Sequence, residues 1–397
     1  MYDTLFSGGT LVGEGGLIEG GYLAVKDGAI AYVGNAPPRE PARRIVEMPG
    51  LFLSPGFIDT HCHGGGGSDF MDGTEAAWIA AAQAHLWHGT TTLYPTSMAS
   101  GDEDLFAFLD GFERARESAA CLPNLPGVHL EGPYFSPAQA GAQPPEYMRR
   151  ADPDHYLRVL AYGKGNIARW SCAPEVPGVL ALGEVLAQKG ILGAIAHTDA
   201  DLALVKQAVA HGFTHLTHFY SGMSMLKRVD GHRILGAVEA GYLLDSLTVE
   251  IIADGVHLPP ELLELIVKCK PLCKISLVTD SMRAAGMPEG PSILGSLKNG
   301  LPVTVRNGVA MMEDGQGFAG SIATADRLVR VMVKQANVPL EDAVAMMTQN
   351  PARLMGIENR KGSLIPGKDA DLVMFDGGIR MRQVYIAGKK IDGEELS

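Results

Sequence analysis

The sequence predicts a closed (β/α)8 barrel, a TIM-like barrel, that carries a small β domain built from both ends of the chain. Three observations favour this fold. The chain has 397 residues, which suits a barrel of about 250 residues with an accessory unit. Its middle contains eight short apolar runs, most of them followed by a helical pattern. Its two ends share a different pattern, typical of β-strands joined by tight turns.

The chain ends alternate β-prone runs with Gly-centred turns. These runs are TLFSGGTLVGEGG and YLAVKDGAIAYVG near the start, and KGSLIPGKDADLVMF and RQVYIAGKKI near the end. Because the two ends resemble each other and differ from the middle, we predict one small β-sandwich domain formed by residues 1–54 and 365–397. The barrel then covers residues 55–364. Two separate hairpin decorations are the alternative.

The eight apolar runs of the middle end in polar or small residues, as strands buried on both faces do. They are GFIDTHCH (56–63), TTTLYPT (90–96), GVHLEGP (127–133), ARWSCAPE (168–175), LGAIAHTD (192–199), FTHLTHF (213–219), LTVEIIADG (247–255) and KISLVTDS (274–281). Segments such as LALVKQAVAHG and PPELLELIVKCK between them have the helical period. An open doubly wound sheet is disfavoured, because no GxGxxG phosphate loop follows any of these runs.

Two later segments complete the predicted outer layer of helices. SIATADRLVRVMVKQA and PLEDAVAMMTQNPARLMG both have apolar residues at helical spacing, and the second ends in a glycine, a common helix stop.

Composition limits the function classes. Apolar residues make up 46% of the chain, which allows a large core, and the net charge of −12 is spread without long blocks. We therefore expect no nucleic-acid surface, and an anionic substrate would need local positive charge. No run of about 18 apolar residues exists and the N-terminus lacks the features of a signal peptide, so we expect no membrane span and a cytoplasmic protein.

The cysteines support the same compartment. There are five, an odd number, and they are scattered along the chain: Cys62, Cys121, Cys172, Cys269 and Cys273. A disulfide framework is not expected from this spacing, which suits a reducing compartment.

The residues that terminate the predicted strands point to a metal site. Six residues of ligand type stand at five strand ends: His61, His63, Glu131, His197, His218 and Asp280. The carboxyl ends of barrel strands meet at one mouth, so these side chains are expected to converge. Imidazole and carboxylate ligands suit Zn²⁺ and related divalent ions such as Fe, Mn, Co or Ni. A single histidine in an apolar run would more often be a core residue; convergence from several strands favours a metal.

The other histidines are expected to be structural. His129 and His215 lie on the same strands but before their ends. The rest fall on predicted helices or loops: His85, His88, His155 and His211.

Several motifs resemble a known family. SPGFIDTHCHGGGG resembles the opening strand of the amidohydrolase superfamily, and GSLIPGKDADLVMFD resembles its closing β segment. HLEGPYFSP, APE, IADGVH and LVTDS, with the segments around His197 and His218, resemble N-acetylglucosamine-6-phosphate deacetylases. This resemblance covers essentially the whole chain. It implies a metal-dependent enzyme that hydrolyses the N-acetyl amide of an amino sugar phosphate, with N-acetylglucosamine 6-phosphate as the leading candidate.

The resemblance also implies roles for individual residues. Glu131, His197 and His218 would hold a first divalent metal, and His61 and His63 a second, so that one or two ions bind per subunit. In the family, the aspartate that matches Asp280 is the general base and acid. The histidine that matches His257 contacts the substrate and polarises the acetyl carbonyl.

The segments that recognise substrate depart from the family pattern. Ser221 and Gly222 stand where the family often has Asn-Ala, and Gln143 replaces a common histidine. Arg233 is the candidate for the family's phosphate-binding arginine, although its surroundings differ. Because that arginine reaches in from a neighbouring subunit in the family, the resemblance implies a homodimer. These residues and His257 form the predicted substrate-binding set.

Two other functions compete with this one. The first is another amidohydrolase, such as a D-aminoacylase-like or dihydroorotase-like enzyme. Dihydroorotase is disfavoured because no lysine, the residue that such enzymes carboxylate, stands at a predicted strand end. The second is a catalytically silent barrel that binds a sugar phosphate. It should have lost Asp280 or a metal ligand, and the sequence has kept them all.

Overall fold

The computed structural model describes residues 1–118, 120, 122–315 and 317–391. Cys121 and the end of the predicted β domain, residues 392–397, lie outside this part of the chain.

Eight parallel strands form the barrel, one in each of the eight predicted apolar runs. The strands are Phe57–Cys62, Thr90–Pro95, Val128–Glu131, Ile167–Cys172, Leu192–Ile195, Phe213–Leu216, Thr248–Ile251 and Ile275–Leu277. The first two pair with each other, and the last six form one continuous parallel sheet. Parallel bridges join the second strand to the third at Thr96 and His129, and the first to the eighth at Cys62 and Ser281. The predicted ring is therefore closed.

Helices surround the barrel. The α-helices are Glu75–Trp87, Asp102–Glu117, Pro153–Tyr162, Val179–Gln188, Leu202–Ala210, Ala237–Leu243, Pro260–Cys269, Ala325–Lys334, Leu340–Met347 and Gln349–Leu354. Short 3₁₀ turns occupy Phe70–Asp72, Pro137–Gln139, Pro145–Tyr147 and Leu272–Lys274. Their buried faces and the strands share one large apolar core. No described helix is both long and apolar enough to cross a membrane.

The last predicted helix is interrupted. Its segment forms two helices that meet at Thr348, whose backbone has φ −134° and ψ −74°. Pro351 explains the break, because a proline ring inside a helix clashes with the carbonyl four residues earlier. The Asn350 side chain fixes the second helix by donating to the carbonyls of Leu272 and Ile275.

The two chain ends pair in one eight-stranded sheet. Its strands are Tyr2–Gly13, Gly16–Lys26, Ala29–Gly34, Ala42–Glu47, Phe52–Pro55, Leu372–Phe375, Met381–Ile386 and Lys389–Lys390. The ends meet where Phe52–Pro55 runs antiparallel to Leu372–Phe375. The sheet has its own apolar cluster, which includes Phe6, Leu53 and Tyr385.

Three β insertions at the C-terminal side of the barrel were not predicted. A four-stranded antiparallel sheet follows the eighth strand, and two short hairpins lie near the first and sixth strands. Their strands are Gly290–Leu294, Leu301–Arg306, Val309–Met312, Phe318–Ser321, Gly64–Gly65, Ser68–Asp69, Lys227–Val229 and His232–Ile234. The insertions bring further residues to the mouth of the barrel.

Candidate metal centre

The six ligand-type residues lie at the C-terminal mouth of the barrel, as the strand ends predicted. His61 and Glu131 are within the last two residues of their strands, and the others stand one to three residues beyond a strand end: His63, His197, His218 and Asp280. All six are buried. Residues from five strands thus meet in one place, although they are up to 219 positions apart in sequence, as His61 and Asp280 are.

The first group of donors consists of Glu131, His197 and His218. The His218 Nε2 atom lies 3.2 Å from His197 Nε2 and 3.1 Å from Glu131 Oε1. The His197 Nε2 atom is 3.5 Å from the same carboxylate oxygen. Three donor atoms of this group therefore surround one point.

The second group consists of His61, His63 and Asp280. The two Nε2 atoms are 3.2 Å apart, and each lies 3.3 Å from Asp280 Oδ1. Glu131 belongs to both groups, because its Oε1 is 3.5 Å from His61 Nε2 and its Oε2 is 3.3 Å from His63 Nε2. The Glu131 carboxylate is therefore placed to bridge two cations.

These spacings fit divalent metal ions. In a tetrahedral zinc site with bonds of about 2.0–2.1 Å, neighbouring ligand atoms lie about 3.3–3.4 Å apart. The donor separations in both groups run from 3.1 to 3.5 Å. Nitrogen and carboxylate donors are also the types that zinc and related ions prefer.

The backbone at this mouth is strained. His197, His218 and Asp280 have positive φ angles of 46°, 29° and 45°, in the region that side chains other than glycine rarely adopt. Such conformations persist where the surrounding fold imposes them, and they concentrate at functional sites. Here they turn three side chains inward just after their strands end.

The carboxylates hold protons on the imidazoles. Burial disfavours the charged form of His61, but Asp280, Glu131 and Glu250 outweigh it and keep its pKa well above the ordinary value. Burial acts in the same way on His63, where hydrogen bonds with Asp280 and Glu131 raise the pKa to about 10. A divalent cation at these nitrogens would displace the protons and take over the role of the positive charge.

A polar network fills the barrel interior below the second group. The Glu250 carboxylate accepts a hydrogen bond from His61 Nδ1 at 2.7 Å and pairs with the Arg169 guanidinium. His215 Nε2 lies 3.2 Å away, and the His218 backbone N–H donates to Glu250 at 3.0 Å. Burial would raise the pKa of Glu250, but Arg169 and then His61 hold it well below its usual range. Sequence reasoning missed Glu250 and Arg169, since both lie within their strands, before the strand ends where ligands were sought.

His257 points into the pocket from the loop after the seventh strand. Its Nδ1 and its backbone N–H both bond to Asp254, at 2.8 Å each, which leaves Nε2 free for another partner. Burial would raise the pKa of Asp254, yet the hydrogen bond from His257 holds it below the usual value. The ring of Phe318, from the unpredicted sheet, packs on His257 with centroids 4.7 Å apart.

A pocket of about 260 Å³ opens above the two donor groups. Its walls include Met98, Ile252, Leu294 and Phe318, so much of the lining is apolar. None of the described residues that line it is a lysine or an arginine. Among the described residues, this pocket therefore offers an anionic substrate no guanidinium or ammonium group of its own chain.

Besides His257, three of the predicted substrate-binding residues line this pocket. Gln143 is buried and already engaged, because its Nε2 donates to Glu131 Oε2 at 2.6 Å and its Oε1 accepts from the Ala99 N–H. Ser221 contributes its carbonyl, which accepts from His218 Nδ1. Gly222 has φ +57°, and a Cβ there would lie 3.0 Å from His197 Nδ1. All three residues therefore contact a candidate metal ligand in addition to lining the pocket.

Arg233 is not brought to the pocket of its own chain. It lies on the exposed hairpin after the sixth strand, where its guanidinium donates to the Gly231 carbonyl. The same hairpin exposes Met225, Leu226 and Val229.

A further cluster of Asp59, Cys62 and His85 lies at the first strand, and its donor atoms are close enough together to surround a metal ion, but they are engaged in other bonds. Asp59 accepts from the Thr279 hydroxyl at 2.6 Å, and His85 Nε2 donates to the Gly64 carbonyl. Burial raises the pKa of the Cys62 thiol, which opposes formation of a thiolate ligand. The cluster is structural.

Comparison with known proteins agrees with this geometry. The sequence profile described as "Amidohydrolase family" matches residues 52–392. The N-acetylglucosamine-6-phosphate deacetylase of Bacillus subtilis is 35% identical over 368 residues, which cover 92% of this chain and 91% of the relative. The N-acetylgalactosamine-6-phosphate deacetylase of Escherichia coli O157:H7 is 32% identical, with coverage of 96% and 97%.

The chain belongs to the amidohydrolase family, among its N-acetylglucosamine-6-phosphate deacetylases. The N-acetyl-D-glucosamine-6-phosphate deacetylase of Mycobacterium smegmatis, whose structure was solved as a mutant with N-acetyl-D-glucosamine-6-phosphate, superimposes with a TM-score of 0.89 at 32% identity. The match covers 98% of this chain and 99% of that one. The fold is thus the amidohydrolase barrel, and the protein is a hydrolase of non-peptide carbon–nitrogen bonds. Membership of this family implies a divalent metal, for which the two donor groups are the candidate ligands.

Proposed function

We propose that this enzyme removes the acetyl group of an N-acetylated amino sugar 6-phosphate, with N-acetylglucosamine 6-phosphate as its substrate. The observation that carries the proposal is the convergence of Glu131, His197 and His218 with Asp280 beneath a single pocket. The curated relatives with this activity match nearly the full length of the chain. A dihydroorotase-like activity is disfavoured, because Glu131 occupies the kind of position that a carboxylated lysine fills in such enzymes.

We propose zinc as the ion, with Glu131, His197 and His218 as ligands of one site and His61, His63 and Asp280 as ligands of the other. When bound, such an ion lowers the pKa of a coordinated water towards neutrality and polarises a carbonyl oxygen. The chain's residues then direct this chemistry. The Glu131 carboxylate lies between the two groups, where its oxygens are close to the histidines of both.

Asp280 is the proposed proton carrier. Its Oδ1 lies at the base of the pocket and 3.3 Å from two imidazoles, so its carboxylate stays ionised: burial would raise its pKa, but His61 and then His63 lower it. An ionised carboxylate can accept the proton of the attacking water as that water adds to the amide carbon. Asp280 then gives the proton to the departing amine, so that acetate and the amino sugar are released.

His257 is proposed to polarise the acetyl carbonyl. Its Nδ1–H is held by Asp254 and its Nε2 faces the pocket. The role requires a ring protonated at Nε2 as well, so that an Nε2–H can donate to the carbonyl oxygen as negative charge develops on it, with Asp254 balancing the charge of the ring. Ser221, Gly222 and Gln143 are proposed to shape the floor where the sugar lies.

The phosphate needs a cation from elsewhere, because no lysine or arginine among the described residues lines the pocket. We propose that Arg233 of a second copy supplies it in a homodimer, which would also cover the apolar residues exposed on its hairpin. A cytoplasmic location is proposed as well, supported by the four described cysteines, which are all unpaired.

Acetate release tests the function. Purified, zinc-loaded enzyme would be assayed with N-acetylglucosamine 6-phosphate, its galacto epimer and unphosphorylated N-acetylglucosamine. We expect the gluco phosphate to give the highest kcat/KM. The galacto epimer is included because one of the close relatives acts on it. Equal rates with and without phosphate would contradict the role of Arg233, and no acetate from any of the three would contradict the function.

Mixed dimers test the shared site. Arg233→Ala and Asp280→Asn should each be inactive alone, since each removes one part of every site. Unfolded together and refolded, they should recover about a quarter of wild-type activity, because random pairing yields half heterodimers with one intact site each. No recovery would mean that Arg233 does not act across a dimer.

A further inference from the structure

The four histidines of the centre differ in how the second ring nitrogen is held. His197 Nδ1 donates to the Gln139 carbonyl at 2.8 Å, and His218 Nδ1 donates to the Ser221 carbonyl at 3.0 Å. His61 Nδ1 instead donates to the Glu250 carboxylate at 2.7 Å. A hydrogen bond at one nitrogen fixes the tautomer and aims the lone pair of the other, so each of these three rings is set to bind a cation through Nε2.

The fourth ring, that of His63, lacks such a partner. Its Nδ1 is buried and makes no hydrogen bond within the described part of the chain. One oxygen of the nearby Asp69, Oδ2, is also buried and unbonded, in a residue with 0% exposure. A buried donor and a buried acceptor that each lack a partner are costly, so two of them at the base of one short hairpin call for a functional explanation.

The backbone places these two residues next to each other. Asp69 pairs with Gly64 across the short hairpin, and the N–H of Phe70 donates to the His63 carbonyl at 2.9 Å. Asp69 already uses its other oxygen, Oδ1, to accept from the Met71 N–H and cap the 3₁₀ turn. Oδ2 is therefore left for a different donor, and the imidazole of His63, whose backbone pairs with that of the next residue, Phe70, is a neighbour whose Nδ1 lacks an acceptor.

We propose that Asp69 and Glu250 are positioning residues for the second metal site, each holding the Nδ1–H of one histidine so that both Nε2 atoms face the same ion. Glu250 is itself fixed by the buried Arg169, so the acceptor of His61 cannot swing away. A carboxylate acceptor also makes an imidazole a more basic ligand than a carbonyl does. This inference rests on the proposed function, because it assumes that the His61–His63–Asp280 group binds a metal.

Asp69→Asn tests the inference with little damage to the fold. Asparagine keeps an Oδ1 that can cap the Phe70–Asp72 turn, but it replaces the acceptor Oδ2 with an N–H donor that cannot bind His63 Nδ1–H. Wild type and variant would be titrated with Zn²⁺ against a competing chelator, and bound zinc counted by elemental analysis. We expect two ions per wild-type chain, and in the variant a second-site affinity about 10–100-fold weaker with the first site unchanged.

Asp72→Asn is the matched control. It removes a carboxylate from the same turn, one that accepts from Arg283 and from the Asp69 and Leu297 N–H groups rather than from a candidate ligand. This control should keep both zinc affinities, even if its melting temperature falls. An equal loss of second-site zinc affinity in the two variants would mean that the Phe70–Asp72 turn matters rather than the acceptor Oδ2 of Asp69. That result would overturn the role of Asp69.

Glu250 is tested in a charge-balanced background. Glu250→Gln combined with Arg169→Met removes the anion and its buried counter-ion together, which avoids an unpaired charge in the core. The glutamine Oε1 can still accept from His61 Nδ1–H and from the His218 N–H, so only the charge of the acceptor is lost. The double variant should therefore weaken the second site by less than Asp69→Asn does and leave the first site unchanged. Substitution of Co²⁺ gives a second readout, since only the absorption bands of the second site should change.

The outcomes separate this inference from the proposed function. An active wild-type enzyme that holds a single ion per chain would overturn the inference and leave the deacetylase proposal standing. Unchanged second-site affinity in both Asp69→Asn and the Glu250 double variant would also overturn it. A wild-type chain that binds two ions but releases no acetate would contradict the proposed function alone.

Discussion

The two halves of the metal centre contain similar donors but are supported in different ways. In the Glu131–His197–His218 half, the imidazoles donate to main-chain carbonyls of Gln139 and Ser221. In the other half, the structure holds His61 through the Glu250 carboxylate, and Asp69, with one unbonded oxygen, stands with His63 at the base of one short hairpin. The first half therefore depends on loop conformation, whereas the second depends on side chains that can be exchanged one at a time.

The two halves should therefore respond differently to amino-acid substitution. Main-chain acceptors cannot be removed by substitution, so the two imidazoles of the first half should lose their support only when the backbone is altered. Side-chain acceptors can be removed without touching a ligand. The first half, whose imidazoles bond to loop carbonyls, should therefore keep its ion under mild destabilisation better than the second half.

The largest expected effect is that of His197→Ala. It removes one of three ligands of the first half, and we expect zinc at that site and all measurable acetate release to be lost together. Elemental analysis and the acetate assay check this, with His211→Ala as a control. The His211 ring lies outside the barrel and bonds to Gln207 and Glu184 rather than to a candidate ligand. Full zinc occupancy in His197→Ala would mean that the first half does not bind the ion.

Asp280→Asn should rank next. Loss of the proton carrier is expected to lower kcat by about 10²–10⁴-fold. The ion of the first half should stay, because Asp280 is not one of its three donors, while the second ion should bind less tightly, since Asp280 Oδ1 lies 3.3 Å from both histidines of that half. Turnover close to that of wild type would rule out Asp280 as the proton carrier.

His63→Ala should act on one half alone. We expect bound zinc to fall from two ions to one per chain, with residual activity above that of His197→Ala. Simultaneous loss of both ions would show that the halves cannot be loaded independently, and the distinction drawn between them would then be wrong.

Gly222→Ala should have the smallest effect, on the loop that supports the first half. Both Gly222 and Gly231 have positive φ, so alanine at either should cost about 1–2 kcal/mol of stability. Only at Gly222 would the new Cβ press on His197 Nδ1; at Gly231 nothing lies within 4 Å. Zinc titration should therefore show weaker first-site binding in Gly222→Ala but not in Gly231→Ala, after thermal melts have shown that both are folded.

Sequence patterns were sufficient to predict the barrel and the candidate donors. Each barrel strand is a short run of apolar residues, and its end is marked by the first polar or small residues. Both properties are local, so His61, Glu131 and His218 could be assigned to the C-terminal mouth without knowledge of any contact. The break at Thr348 was missed, because the period of the apolar residues continues through it and only Pro351 disturbs the backbone.

The sequence by itself therefore determined the barrel, the β strands at both chain ends and which residues stand at the strand ends. Only the tertiary structure decided what those residues touch. Glu250 lies 189 positions from His61, and Gln143 is engaged with Glu131 instead of being free in the pocket. Arg233 lies outside the pocket of its own chain, and the sheet that carries Phe318 closes over His257. The physical reason is that strand and helix patterns follow from neighbouring residues, whereas hydrogen-bond partners are selected by packing between distant segments.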